Sequence, residues 1–281
     1  MTGSGKRSEA PLRVERSGPG GTVARVVLTR PERRNALDAA TIAALGEVFR
    51  ALANEDAAAL RGVVLEGEGP AFCAGADIAW MRAAMQLSRS ENVEDALGLA
   101  ATLNVIDACP APLVLRVQGA ALGGGAGLCA VADVVVAEAA ARIGFPETRL
   151  GLVGATIAPF VVRRIGEGAT RNLFATGRRI DASEACRIGL VHVVAEGEAA
   201  LDAAVDDVLA DVLAGGPEAV RASKAVAREI AAALRGGASV QDLSSRTAAL
   251  LADRRASAEA AEGLAAFEQR RRPAWVPERG A

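Results

Sequence analysis

Short β-branched runs alternate with Ala- and Leu-rich stretches through the first two thirds of this chain, and then the alternation stops. The runs are Thr22 to Thr29, Gly62 to Glu66, Leu113 to Val117 and Val131 to Ala137. Asp38 to Asn54, Glu91 to Ala108 and Ala182 to Gly189 read as helices. Strands interleaved with helices predict an α/β core. From about Ala199 the β-runs cease, and Leu201 to Leu213, Pro217 to Leu234 and Val240 to Phe267 read as helices separated by Gly-Gly or Gly-Pro breaks. The expected organisation is a mobile tail over 1–21, an α/β core over 22–198 and a helical region over 199–281. Those last helices carry more apolar residues than a thin appendage can bury internally, which predicts a homo-oligomer.

Composition narrows the function classes. The 281 residues are 51% hydrophobic and 23% charged, ample for a packed core. With 32 Lys and Arg against 34 Asp and Glu, the net charge of -2 argues against a general nucleic-acid-binding surface. There is no Tyr, so no mechanism can use a tyrosine acid or base. Cys73, Cys109, Cys129 and Cys186 lie far apart and His192 is the only histidine, so no metal site is expected and reduced cytoplasmic thiols are. Met1 to Gly21 lacks the apolar stretch of a signal peptide. Ala120 to Ala137 is broken by glycines and by Asp133, so it does not read as a membrane span.

Two glycine-rich turns follow apolar strands and lead into helix-like patterns: Phe72 to Asp77, reading FCAGAD, and Gly119 to Gly127, reading GAALGGGAG. Glycine lets a backbone approach a ligand closely, and a helix N-terminus presents free N–H groups. Two such turns can cradle one developing oxyanion, or serve only as tight turns between packed elements. Gly125 to Ala130 also has the spacing of a dinucleotide fingerprint, but the following strand arrives too soon for a crossover helix, which sets NAD aside. Glu147, between an apolar turn and Leu150-Gly151-Leu152, is a candidate proton carrier with a raised pKa, or else a salt-bridge partner of Arg149. His192 sits in an apolar run and reads as packed and hydrogen-bonded; Cys73 has no histidine motif beside it and reads as core. Arg270 to Arg272 is a solvated end or a contact for a ligand phosphate.

Arg30-Pro31-Glu32-Arg33-Arg34-Asn35-Ala36-Leu37, the AGAD turn, the second glycine turn and the closing Phe267 to Pro273 segment, in that order over Leu12 to Trp275, resemble the crotonase, or enoyl-CoA hydratase/isomerase, superfamily. The resemblance implies a spiral of ββα units closed by C-terminal helices, assembled as a homotrimer or a dimer of trimers. It places the oxyanion-hole donors at Ala76 and Gly124 and an acid/base at Glu147. It places CoA contacts at Arg33, Arg34, Ala36, Ala74 and Ile78, with Gly123, Phe267 and Arg270 in the same binding set. Trp80, Met81 and Met85 follow the first turn and either shape an acyl pocket or are ordinary core. Many relatives carry a second catalytic carboxylate where this chain has Gly127. The segments Phe72 to Met81 and Gly154 to Val162 resemble the bacterial methylglutaconyl-CoA or carboxygeranoyl-CoA hydratase-like branch, some members of which also lack that carboxylate.

The resemblance therefore implies an acyl-CoA-processing enzyme with no cofactor beyond the coenzyme A of its substrate. Hydration of a 2-enoyl-CoA is the first expectation. A double-bond isomerase working with one carboxylate is the second, and a CoA-thioester-binding protein without activity the third.

Overall fold

The computed structural model describes residues 10–276. β1 (Leu12–Ser17) pairs antiparallel with β2 (Val23–Leu28), Leu12 lying opposite Leu28. This corrects the tail expected over 1–21: 12–17 form an edge strand, and 1–9 lie outside the described residues. An edge strand needs one paired side only, and LRVERS, mostly exposed, carries the polar residues that conceal it in the sequence.

α1 (Ala39–Ala53), β3 (Gly62–Gly67), α2 (Ile78–Ala84), α3 (Arg89–Ala108) and β4 (Leu113–Val117) come next. β5 (Ala120–Leu122), α4 (Gly124–Val131), β6 (Val134–Glu138) and β7 (Arg142–Gly144) follow. α5 (Ala158–Thr176), β8 (Arg179–Asp181), α6 (Ala182–Arg187) and β9 (Val193–Ala195) complete the α/β part. The run expected as a strand over Val131 to Ala137 is shorter, because Val131 still belongs to α4 and the Asp133 carboxylate accepts from Leu113 N–H at 2.7 Å before β6 begins.

The main sheet has the order β1-β2-β3-β4-β6-β9 and is parallel from β2 onward. Side chains alternate across a strand, so each of these runs serves two layers. Ala24, Val26, Val63, Leu65, Leu113 and Leu115 belong to the main core. α1 adds Ile42, Leu45, Phe49 and Leu52 to that core, spaced three or four apart as one face of a helix requires. On the other face Val23, Val64, Val114 and Val136 meet Leu201, Val205 and Leu209 of α7 (Glu198–Ala214). Arg116, on that face, pairs with Asp202 of α7 at 2.6 Å. A second sheet, β5-β7-β8, carries the second glycine turn at the end of β5.

α8 (Pro217–Arg235), α9 (Val240–Arg255) and α10 (Ala258–Glu268) close the chain. The helix expected over Val240 to Phe267 is two helices, because the Ser257 hydroxyl accepts from Ala260 N–H and starts α10 afresh. α8 and α9 bury no residue, and among Ala222, Val226, Leu250, Leu251 and Leu264 they and α10 leave an apolar groove of about 740 Å3. Two guanidinium groups tie this helical part to the core through main-chain carbonyls, beside the ion pairs of Lys224 with Asp133 and of Arg228 with Asp107. Arg61 donates to the carbonyls of Leu213, Gly215 and Trp275 at 2.6–2.7 Å. Arg221 of α8 donates back to those of Glu55, Asp56 and Leu60 at 2.8–3.2 Å.

Candidate active site

The two glycine turns meet. Cys73 N–H donates to Ala120 O, and Leu122 N–H donates back to Cys73 O, both at 3.0 Å. At Gly75, with φ of 98°, a Cβ would stand 2.9 Å from Leu122 O, so only glycine permits the approach. The loop after β2 joins them: Leu37 N–H donates to Gly75 O at 2.7 Å and Asp77 N–H to Leu37 O at 2.8 Å. That bridge uses the Gly75 carbonyl and the Asp77 N–H and leaves the Ala76 N–H free. Gly124 is the first residue of α4, where N–H groups have no partner within the helix. No hydrogen bond among the described residues uses the Ala76 or Gly124 N–H.

Ala76, Gly124, Trp80 and Glu147 line one cavity of about 110 Å3, walled also by Leu37, Leu99 and Ile157. Pro146 opens the 3-10 turn Pro146–Leu150 that presents Glu147. Gly123 lets the carboxylate come close: a Cβ there would lie 3.0 Å from Glu147 Oε1. Glu147 Oε2 is buried and has no hydrogen-bond partner, and none of the described ion pairs includes Glu147, so the alternative pairing with Arg149 is not formed. Burial pushes the Glu147 carboxyl above its ordinary value of 4.5, against a smaller opposing effect of its own backbone N–H. A second cavity, of about 230 Å3, adjoins it through Glu147, Val153 and Gly154 and is walled by Phe145, Phe174 and Ala175.

Asp77, the other acid at the turns, is otherwise engaged. It N-caps α2, accepting from Ala79 N–H at 2.9 Å, and pairs with Arg30 at 3.1 Å. Burial alone would raise its pKa, but the bonds from Ala79, Arg30 and Trp80 more than offset that and hold it below the ordinary carboxylate value. At Gly127 a Cβ would stand 2.7 Å from Ile157 Cγ2, so an isoleucine fills the space beside the position where a second carboxylate would start.

Arg33 and Arg34 are exposed, and neither guanidinium has a partner among the described residues. Ala36 is buried beside them, Ala74 N–H donates to Arg34 O at 2.9 Å, and Ile78 is exposed at the start of α2. These five residues are thus brought to the edge of the first turn. Phe267, 83% exposed, and Arg270 lie at the end of α10 and line neither cavity beside Glu147. Met81 and Met85 line neither cavity either, and Met85 is 79% exposed. His192 is a hydrogen-bonded residue away from these turns, its Nδ1 accepting from Val135 N–H at 2.9 Å.

Sequence reasoning passed over Asn35, Ile157 and Phe174. Asn35 is buried in a left-handed conformation, accepts from Arg30 N–H and donates to Glu68 O and Ala71 O, and so pins the loop that carries Arg33 and Arg34. A polar residue inside an otherwise exposed Arg-rich turn was the available signal. Ile157 and Phe174 reach the site only through the path of α5, which no local pattern announces.

A family model described as enoyl-CoA hydratase/isomerase matches residues 19–278. A putative enoyl-CoA hydratase of Thermus thermophilus is 36% identical over 253 residues, covering 90% of this chain and 97% of that protein. A putative enoyl-CoA hydratase/isomerase of Bacillus subtilis, YngF, is 34% identical over 257 residues, covering 90% and 94%. Among solved structures, Pseudomonas aeruginosa AtuE superposes with a TM-score of 0.87 at 37% identity, covering 95% of this chain and 100% of that one. A putative enoyl-CoA hydratase/isomerase (crotonase) from Legionella pneumophila does so with a TM-score of 0.86 at 33% identity, with the same coverage. With a family model spanning nearly the whole chain and solved relatives superposing over 95% of it, the chain belongs to the enoyl-CoA hydratase/isomerase family and has the crotonase fold.

Proposed function

We propose that this chain hydrates the double bond of a 2-enoyl-CoA thioester, with the Ala76 and Gly124 N–H groups on the thioester oxygen and Glu147 as the only side-chain acid/base. The observation that carries the reading is the convergence of two free backbone donors and one half-buried carboxylate with an unpartnered oxygen on a single cavity. Donors aimed at an oxygen that gains charge stabilise the enolate more than the ground state. The Glu147 carboxylate takes a proton from water as the oxygen bonds to C3, and the electron pair of the double bond moves onto the thioester oxygen. The same carboxyl then returns the proton to C2, which restores the carbonyl and leaves a 3-hydroxyacyl-CoA. Arg33 and Arg34 meet the CoA phosphates, for which unpaired exposed guanidinium groups are suited. Ala36, Ala74 and Ile78 line the approach, and no group beyond the substrate's coenzyme A is needed.

A second reading has a specific observation in its favour. Gly127 supplies no second acid and Ile157 packs where one would begin, and a lone carboxylate also suffices to carry a proton between two carbons. Mixing the protein with 2-enoyl-CoA thioesters while following ultraviolet absorbance and identifying the product separates the cases. A 3-hydroxyacyl-CoA supports hydration, and a shifted double bond supports isomerisation. Binding with no product would leave a thioester-binding protein.

The same reading includes assembly as a homotrimer or a dimer of trimers in the cytoplasm, with no nucleic-acid partner. It draws on the groove between α8, α9 and α10 and on Leu251, Leu264 and Phe267, each more than half exposed. Phe267 and Arg270 would then act at a subunit boundary and not within one protomer's cavity. Sedimentation that gives a stable monomer at micromolar concentration would overturn the assembly. No described helix is long and apolar enough to cross a membrane.

A further inference from the structure

We infer that Arg30 is a positioning residue that locks the Ala76 oxyanion donor to the loop that binds CoA. The inference rests on the oxyanion reading of Ala76 and adds to it a residue that touches no substrate. The Arg30 guanidinium joins two separate pieces of chain through three partners. It pairs with Asp38 at 2.8 Å, donates to Ala36 O at 2.8 Å, and pairs with Asp77 at 3.1 Å. Asp38 and Asp77 are the N-caps of α1 and α2, the helices that begin just after the CoA loop and just after Ala76. One planar cation therefore fixes where both helices start.

Asp77 is nearly buried, so the pair is shielded from water and a change of partner there is felt. Ala76 has no side chain able to hold its own peptide in place. Its amide direction is set by the Leu37 bridge on one side and by Asp77 on the other, and Arg30 grips both, the first through Ala36 O. A fork-shaped guanidinium can serve Asp38, Asp77 and a carbonyl together, which a lysine ammonium cannot match in geometry. Displacement of a catalytic donor by about 1 Å costs on the order of 100-fold in rate.

The test uses Arg30→Gln, Arg30→Lys and Asp77→Asn in the full-length protein. Asn remains a good N-cap, so Asp77→Asn removes the charge pair without removing the helix start. The probe is an aryl-conjugated enoyl-CoA, whose absorbance moves to longer wavelength when its carbonyl is polarised. Native protein is expected to bind the probe with a red shift. Arg30→Gln and Asp77→Asn are expected to melt cooperatively and bind acyl-CoA as tightly, yet to show a smaller red shift and a kcat lowered roughly 10- to 100-fold at unchanged KM. Arg30→Lys should restore part of both. A folded Asp77→Asn protein with the full red shift and native kcat overturns the inference, as does a loss confined to binding. If native protein binds no acyl-CoA at all, it is the oxyanion reading that fails.

Discussion

The two sides of the Glu147 cavity are built on opposite plans. On the oxyanion side, where Ala76 and Gly124 line the cavity, the support behind them is backbone: Gly75, Gly119 and Gly125 sit so close to neighbouring chain that there is no room for a Cβ, and Gly123 so near the Glu147 carboxylate that a Cβ would press on it. On the acyl side the wall is side chain: Leu99, Val153, Ile157 and Phe174, with Phe145 and Phe174 in tilted contact at 5.1 Å. The difference separates what must stay fixed from what can vary. A hydrogen bond donor that stabilises charge has to hold its direction, while an apolar wall has only to match the bulk of its occupant.

The sharpest way to break this contrast is Gly119→Ala. With φ of 62° and a Cβ only 1.9 Å from Pro70 O, the added methyl has nowhere to go. We expect loss of the cooperative melt by circular dichroism; a folded, active variant would mean that the backbone side gives way like a side-chain wall. Next in size is Glu147→Gln, which preserves shape and removes ionisation. Turnover should fall roughly 100-fold or more while acyl-CoA still shifts the melting temperature. Phe174→Ala should leave folding and oxyanion polarisation intact and move preference toward longer acyl groups, by roughly 10-fold in relative kcat/KM. Identical chain-length profiles would remove Phe174 from the acyl wall.

Gly127→Glu probes the seam between the two sides. Its Cβ meets Ile157, so we expect overpacking of about 1–3 kcal/mol by denaturant melt, relieved when Ile157→Ala is added. The smallest effect concerns pH. The Glu147 carboxyl is raised above 4.5 in the folded protein, so the folded state holds its proton longer than the unfolded chain does. Its burden on stability is therefore absent well below pH 4.5 and grows as pH rises through the raised value. Glu147→Gln should melt later than native at pH 7 and at the same temperature near pH 3.

This contrast also explains what the sequence disclosed. Glycines forced by close approach stand in consecutive order, and so the FCAGAD and GAALGGGAG turns and Glu147 were legible. The β-branched runs of β2, β3 and β4 were legible for the same local reason. β1 was not, because LRVERS has the charge of a tail and acquires its structure only by pairing with β2. Ile157 and Phe174 face the site because α5 packs against α4, a long-range consequence with no local mark. The end of α9 was missed because a serine cap inside an Ala-rich run disturbs its helical pattern very little.

Arg61 and Arg221 have a bearing on how such a chain can diverge. Each grips three main-chain carbonyls, and a carbonyl is offered by whatever residue stands at the position. The hydrogen bonds themselves therefore do not depend on which side chains stand at 213, 55, 56 and 60, although Leu60 is core in its own right and Glu55 pairs with Arg16. The freedom does not extend to the two arginines: a lysine keeps the charge but loses the planar fork. This part of the joint is a shape of the main chain held by two side chains, and the ion pairs of Lys224 and Arg228 with Asp133 and Asp107 are the part that depends on paired letters.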